Sequence, residues 1–237
     1  MKKRCIAIIP ARAFSKRIKN KSIKNFFGKP IISYAIKTAK KSKLFDDIFV
    51  STDSLLIKRI SNKYGAKVPF IRPKNLSGDF TSVIDVISHA VKKISTNYKD
   101  LYGVCCIFPA TPLLKHTDLI KSFKIFERSN SEYLFSAIKF TNSPERSFHL
   151  SKKNSVIIKN KNFFEKNKRT QDYKTYYYDG GQFYWARPKT WLNKKKVFTN
   201  RSSVYLNENN KFVDIDTMDD WKRAEFFFRE KKKVKKF

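Results

Sequence analysis

Short apolar runs alternate with longer amphipathic stretches from the start of the chain, and that alternation restricts the fold to a mainly parallel sheet covered on both faces by helices. CIAII (Cys5–Ile9) and DIFVST (Asp47–Thr52) read as buried strands. PIISYAIKTAKK (Pro30–Lys41) has helical spacing at Ile31, Tyr34, Ala35 and Thr38, with Pro30 at the first position, where its missing N–H costs nothing. Leu56, Ile60 and Tyr64 repeat that period over Ser54–Tyr64, and Gly65 follows as a stop. A short strand over Val68–Ile71, a helix over Thr81–Ser95, a strand over Gly103–Phe108, a helix over Thr117–Arg128 and a strand over Tyr133–Ile138 complete the regular part.

From Thr141 to Thr175 the pattern gives way to Lys- and Asn-rich sequence, which reads as an excursion: either flexible, or a small lobe that covers a site or meets a second subunit. Order returns with GGQFYWAR (Gly180–Arg187), VYLN (Val204–Asn207) and FVDIDT (Phe212–Thr217). A last helix starts near Thr217 as N-cap, with Asp219 and Asp220 favourable to the dipole and a stripe of Trp221, Ala224, Phe227 and Phe228.

Composition narrows the function classes. At 237 residues, 41% hydrophobic with 22 Phe, the chain has material for one real core and is not a disordered basic protein. The net charge of +32 favours an anionic partner, such as nucleic acid or a phosphorylated metabolite. Lysine is nevertheless spread through almost every segment alongside Asn, Ile, Phe and Tyr, which indicates compositional drift and disfavours a dedicated nucleic-acid surface. The tail from Arg229 to Phe237 is a solvated basic run. Cys5, Cys105 and Cys106 are odd in number and partly adjacent, so they read as core residues of a cytoplasmic protein and not as a disulfide or metal framework. MKKRCIAIIPARA mimics a secretory leader, but its apolar stretch is short and broken by Pro10, and no segment is long enough to span a membrane.

Ligands of parallel α/β sheets sit beyond the carboxyl ends of the strands. After the first strand, IIPARAFSKRIKNKSIKN (Ile8–Asn25) carries Arg12, Lys16, Arg17, Lys19, Lys21 and Lys24. No glycine occurs between Pro10 and Gly28, so this is neither a P-loop nor a dinucleotide fingerprint, and composition alone does not separate a phosphate loop from a basic surface turn. In FVDIDT, read as a strand, Asp214 and Asp216 share a face while Ile215 points to the core. Such a pair suits Mg²⁺ when a phosphate adds oxygens; the plainer reading is one helix cap and one solvated acid.

Taken together and in order, IPAR-x-x-SKRI-x-x-K-x-I-x-x-F-x-GKP (Ile9–Pro30), VSTD (Val50–Asp53), G-A-x-V-P-F-x-RP (Gly65–Pro73), CCIFPATPLL (Cys105–Leu114), RTQD (Arg169–Asp172), GQFYW (Gly181–Trp185) and DIDT with Trp221 resemble the cytidylyltransferases that load nine-carbon acidic sugars onto CMP. RTQD and GQFYW point to the pseudaminic acid branch more than to the N-acylneuraminate or legionaminic acid branches. The resemblance covers nearly the whole chain and implies an α/β, three-layer, Rossmann-like nucleotidyltransferase sandwich, a single domain over residues 1–237 with a small dimerisation excursion near 141–175. It implies CTP and an acidic nine-carbon sugar as substrates, Mg²⁺ as cofactor, and a homodimer.

Residue by residue, the resemblance places Arg12, Ser15, Lys16, Lys21 and Ser22 around the CTP phosphates, and Arg72 and Asp79 beside the nucleotide. It assigns Asp214 and Asp216 to the metal and Arg169, Gln182 and Tyr184 to the sugar side, with Lys16, Lys21 and Asp216 in catalysis. The sequence departs from the family pattern at Ala13–Phe14, where small or polar residues are usual, at Ser22, where Asn is usual, and at Ala110–Thr111, where the usual order is reversed. A left-handed backbone at Phe14 would cost about 1–2 kcal/mol. Asp53 reads as a helix N-cap, Phe183 and Trp185 as core, and His89, His116 and His149 as structural or surface residues.

Overall fold

The computed structural model describes residues 3–95, 98, 100–158, 169, 172–207 and 212–233. Its strands are β1 (Arg4–Pro10), β2 (Asn25–Phe26), β3 (Lys29–Pro30), β4 (Asp47–Ser51), β5 (Leu101–Ile107), β6 (Tyr133–Lys139), β7 (His149–Leu150), β8 (Val156–Ile157), β9 (Tyr177–Ala186) and β10 (Ser202–Leu206). The helices are α1 (Ile32–Ser42), α2 (Leu55–Lys63), α3 (Val83–Ile94), α4 (His116–Arg128), α5 (Pro188–Leu192) and α6 (Met218–Lys233). Six strands form one sheet in the order β10-β6-β9-β5-β1-β4. β1 runs parallel to β4 and β5, β10 runs parallel to β6, and β9 is antiparallel to both its neighbours.

Alternation along each central strand divides the core into two layers. Cys5, Ala7 and Ile9 of β1, with Cys105, Ile107, Phe183 and Trp185, face α1, α2 and α4. Ile6 and Ile8, with Val104, Cys106 and Tyr184, face α3 and α5. Trp185 is fully buried, stacked on Phe45 and Phe126 at centroid distances of 5.4 and 5.6 Å, and donates Nε1–H to Ser122 at 3.0 Å. The cysteines are free and buried, and burial pushes the Cys5 thiol up to about 12.

A third cluster positions the site. Ile18, Phe26, Ile31, Ala110, Leu113, Val213, Ile215, Trp221 and Ala224 pack together, which draws the loop after β1 against the segment before α6. Buried apolar contact of this kind, at about 25 cal/mol per Å², holds two segments that share no ladder.

Several expectations are corrected. Pro30 lies in the β2–β3 hairpin, closed by Phe27 and Gly28 at φ 48° and 81°, and α1 begins two residues later. On α2 it is Ile57 that is buried, while Leu56 is 51% exposed. Val68–Ile71 makes no strand: Lys67 and Ile71 form only isolated bridges to Phe49 and Thr52. FVDIDT has no ladder partner among the described residues, although Ile215 is buried as expected. Between β6 and β9 the excursion contains the β7–β8 hairpin. Thr170 and Gln171 of RTQD, residues 159–168 and the tail beyond Lys233 lie outside the described residues.

Candidate active site

A cleft of about 530 Å³ opens at the carboxyl ends of β1 and β5. Arg12, Ser15, Lys16, Lys21 and Ser22 line it from the loop after β1, Arg72 and Asp79 from the loop before α3, and Asp216 from the far end of the chain. Lys21 Nζ donates to the Ile215 carbonyl at 2.6 Å and to Asp216 at 3.1 Å, across almost the whole sequence. Arg17 reaches the other Asp216 oxygen at 2.9 Å. The basic turn and the late aspartate therefore share one wall.

From the loop before α3, Asp79 binds Arg12 at 3.0 Å and Lys16 at 2.6 Å, and Arg12 also donates to the Gly78 carbonyl. These cations, Lys16 first, hold the Asp79 carboxyl below its ordinary range. Arg72 is buried, with Nε on Ser77 and Nη1 on the Ser51 carbonyl, so it fastens the loop before α3 to the end of β4. Burial lowers its pKa, and the charge of Asp53 opposes that shift.

Asp53 does not cap α2; Ser54 does, accepting from the Ile57 N–H. Asp53 instead accepts from the Ala13 N–H at 2.8 Å and anchors the basic loop. Phe14, one residue on, is 82% exposed and is not among the residues with positive φ, so the loop accepts it without left-handed strain. Ser22 is buried in the cleft wall, and Thr111 donates to the Phe108 carbonyl. His89 packs edge-on against Phe70, 5.2 Å away, and no histidine lines the cleft.

Asp214, two residues before Asp216, is exposed, does not line the cleft itself, and lies against Gly181 of β9. Although the residue keeps an exposed edge, its carboxyl is pushed up to about 6, first by desolvation from the atoms crowded round it and then by the charge of Asp216, with Lys21 opposing and Asp179 adding to the rise. Tyr184 donates its hydroxyl to Asp179, and the Gly181 N–H donates to the same carboxylate at 3.0 Å. Gln182 is buried and bonded to backbone. Neither Gln182 nor Tyr184 lines the cleft. Arg169 is exposed on the excursion, paired with Asp172 at 3.5 Å, and the cleft does not include it.

Three residues hold places at the site that the sequence did not assign to them: Arg17, Asp53 and Asp179. Arg17 sits inside SKRI and Asp53 inside VSTD, so both were visible as motif members. Asp179 carries no local signal. Among the described residues no group of three or more His, Cys, Asp or Glu side chains is placed to hold a metal by itself.

The profile of a family described as cytidylyltransferase matches residues 6–236. The chain belongs to the cytidylyltransferase family. It is thus a nucleotidyltransferase. A pseudaminic acid cytidylyltransferase of Campylobacter jejuni is 37% identical over 224 residues, covering 94% of this chain and 96% of that one. An N-acylneuraminate cytidylyltransferase of Streptococcus agalactiae is 30% identical over 218 residues, covering 91% of this chain and 51% of the relative. Among solved structures, a CMP:2-keto-3-deoxy-manno-octonic acid synthetase complexed with CTP superposes with a TM-score of 0.70 at 12% identity, over 96% of this chain and 99% of that one. That likeness shows that this cytidylyltransferase shares the α/β fold, as the alternating strands and helices foretold.

Proposed function

We propose that this cytidylyltransferase transfers CMP from CTP to the anomeric hydroxyl of pseudaminic acid and releases pyrophosphate. One observation carries the reading: Lys21 and Arg17 meet Asp216 in the cleft at the strand ends, so cations for a polyphosphate and a carboxylate for a divalent ion converge there. The higher identity and fuller coverage of the pseudaminic acid relative support that sugar.

The reaction asks the protein to bring two anions together, align the hydroxyl with the α-phosphorus and balance charge that develops on phosphate oxygens. Arg12 and Lys16, paired with Asp79, are exchanged onto the triphosphate, and Lys21 stabilises the departing pyrophosphate. Asp216 lines the same cleft and is a candidate to hold the hydroxyl proton.

A Mg²⁺ ion fits this donor set. Such an ion is usually bound through one or two carboxylates together with substrate phosphates, and it does not require a complete protein cage. Among the described residues no hydrogen bond or ion pair holds the Asp214 carboxylate, and the negative charges of Asp216 and Asp179 act on it against the one opposing cation, Lys21, so an added cation would be favoured there. Asp214 and Asp216 would hold the ion, which would supply Lewis-acid neutralisation of phosphate oxygens. Arg169 would meet the sugar carboxylate with its planar fork.

The excursion exposes Phe148, Leu150, Val156 and Ile157, with Leu150 and Val156 paired on one face of the β7–β8 hairpin, and we read that apolar surface as the homodimer contact. A cytoplasmic, single-domain enzyme accords with three free thiols and one continuous sheet. Among the described residues no helix is long and apolar enough to cross a membrane.

A pyrophosphate-release assay with CTP and Mg²⁺, run in parallel on pseudaminic, legionaminic and N-acetylneuraminic acids, tests the proposal. Turnover is expected with pseudaminic acid foremost. Release that is independent of any nine-carbon acid would overturn it.

A further inference from the structure

We infer that the Gly180–Gly181–Gln182 bulge of β9 is the seat that positions the Asp214 carboxylate, so that Gln182 and Tyr184 act on the metal side of the reaction and not as sugar contacts. The inference rests on the proposed metal role of Asp214.

Four residues of β9, Gly180 to Phe183, lie between the pairs Ala137↔Asp179 and Phe135↔Tyr184, where β6 has only Ser136. Bulges of this kind end regular pairing and re-aim the backbone, often next to a site. Ser136 absorbs the irregularity: its hydroxyl accepts the Gln182 N–H at 3.1 Å.

Gly181 adopts φ +61°, and a Cβ there would lie 2.6 Å from the Asp214 carboxyl carbon and 2.8 and 2.9 Å from its oxygens. A methyl there would push the carboxylate from its place, so the backbone of the bulge and the carboxylate are in direct contact. Gln182 fixes the other side. Its Nε2 donates to the Gly180 carbonyl at 2.9 Å and to the Val213 carbonyl at 3.3 Å, which ties the bulge to the residue preceding Asp214. Both amide protons are thereby used, and rotating the amide by 180° would set its oxygen against two carbonyls. The Oε1 atom is buried with no donor among the described residues, a cost that an apolar side chain would avoid. What the amide gains in return is the clamp on Val213.

Behind the bulge, Tyr184 holds Asp179, and Asp179 holds the Gly181 N–H. The Tyr184 ring is buried against Phe108 and Phe135. The relay therefore runs from a core tyrosine to the contact with Asp214, and supporting partners of this sort typically change metal affinity by about 10–100-fold.

The test compares Gly181→Ala, Gln182→Leu and the control Gly28→Ala, which places the same kind of strain at φ +81° with nothing within 4 Å of the new methyl. The first readout needs no turnover: the Mg²⁺ concentration that gives half of the thermal shift produced by CTP. The second is the KM for the sugar. Gly181→Ala and Gln182→Leu are expected to raise the half-saturating Mg²⁺ by about tenfold or more, with the sugar KM within about twofold of the parent and Gly28→Ala unchanged. If Gly181→Ala does not fold, Gln182→Leu decides. A raised sugar KM with an unchanged Mg²⁺ requirement would overturn the inference, as would an equal Mg²⁺ effect in Gly28→Ala. Asp214→Asn is measured alongside. If it too leaves the Mg²⁺ requirement unchanged, the metal role of Asp214 itself is what has failed.

Discussion

Lys21 is the side chain on which the proposed chemistry leans most. Its ammonium is mostly enclosed, 2.6 Å from a backbone carbonyl and 3.1 Å from Asp216, so its position is fixed before any substrate arrives. Removing one preorganised charge-stabilising group typically costs about 10²–10³ in rate. Lys21→Ala is therefore expected to lose kcat on that order in the pyrophosphate assay, whereas Lys19→Ala, on the exposed side of the same loop, stays within about twofold of the parent.

Asp214 makes a different prediction. A carboxyl whose folded pKa stands at about 6, above an ordinary 3.8, binds more protons folded than unfolded. Its contribution to stability is fully present below about pH 4 and is lost as pH rises through about 6. In chelator, Asp214→Asn should raise the urea midpoint relative to the parent at pH 7.5, and the difference should vanish at pH 4. A constant difference across that range would contradict the raised pKa.

Among the elements, α6 is the one whose cap also serves the site. Thr217 Oγ1 accepts from the Asp220 N–H at 3.2 Å, and Asp220 accepts in return from the Thr217 N–H at 2.9 Å and the Asp216 N–H at 3.2 Å. Losing an N-cap costs about 1 kcal/mol. Thr217→Ala is expected to lower stability by that amount in urea melts while sparing most activity. Asp220→Ala should lose both, because it also releases the backbone that presents Asp216.

The final helix was legible from Thr217, the paired acids and the Trp221 stripe, and most of the other helices and strands were legible from period alone. What period does not encode is direction. β9 is buried on both faces, so its residues read the same whether the strand runs with its neighbours or against them. The segment before α6 failed as a strand for a related reason. Its alternation is real, yet Val213 and Ile215 are held by Ile18, Phe26 and Trp221, and no neighbouring strand supplies a ladder. At the site, the cations of the first loop were legible because they cluster in sequence. The roles of Asp53 and Gly181 were not, since each depends on which distant backbone comes to lie beside it.

At the scale of the whole molecule, the charge of +32 acts as a field over a cleft that collects Arg12, Lys16, Arg17 and Lys21. Such a field accelerates capture of a polyanion and is screened by salt. kcat/KM for CTP should fall steeply between about 50 and 300 mM salt while kcat changes little, because screening acts on encounter and not on the fixed contacts inside. The apolar face of the excursion makes the second prediction at this scale. Leu150→Glu with Val156→Glu, which pair across the β7–β8 hairpin and are both exposed, should lower the mass of the proposed dimer to that of a monomer by light scattering without unfolding the sheet. An unchanged mass would remove that face from the proposed contact.

The reversal of β9 has a further consequence for how such enzymes diverge. The chain leaves β6 and re-enters β9 on two neighbouring antiparallel strands, so the described residues between them hang from adjacent posts at the rim where the cleft opens. A segment moored in that way can be lengthened, shortened or exchanged wholesale while the sheet keeps its registers. The fold thus separates a fixed floor, which carries the cleft, from an awning whose length and shape the sheet leaves free.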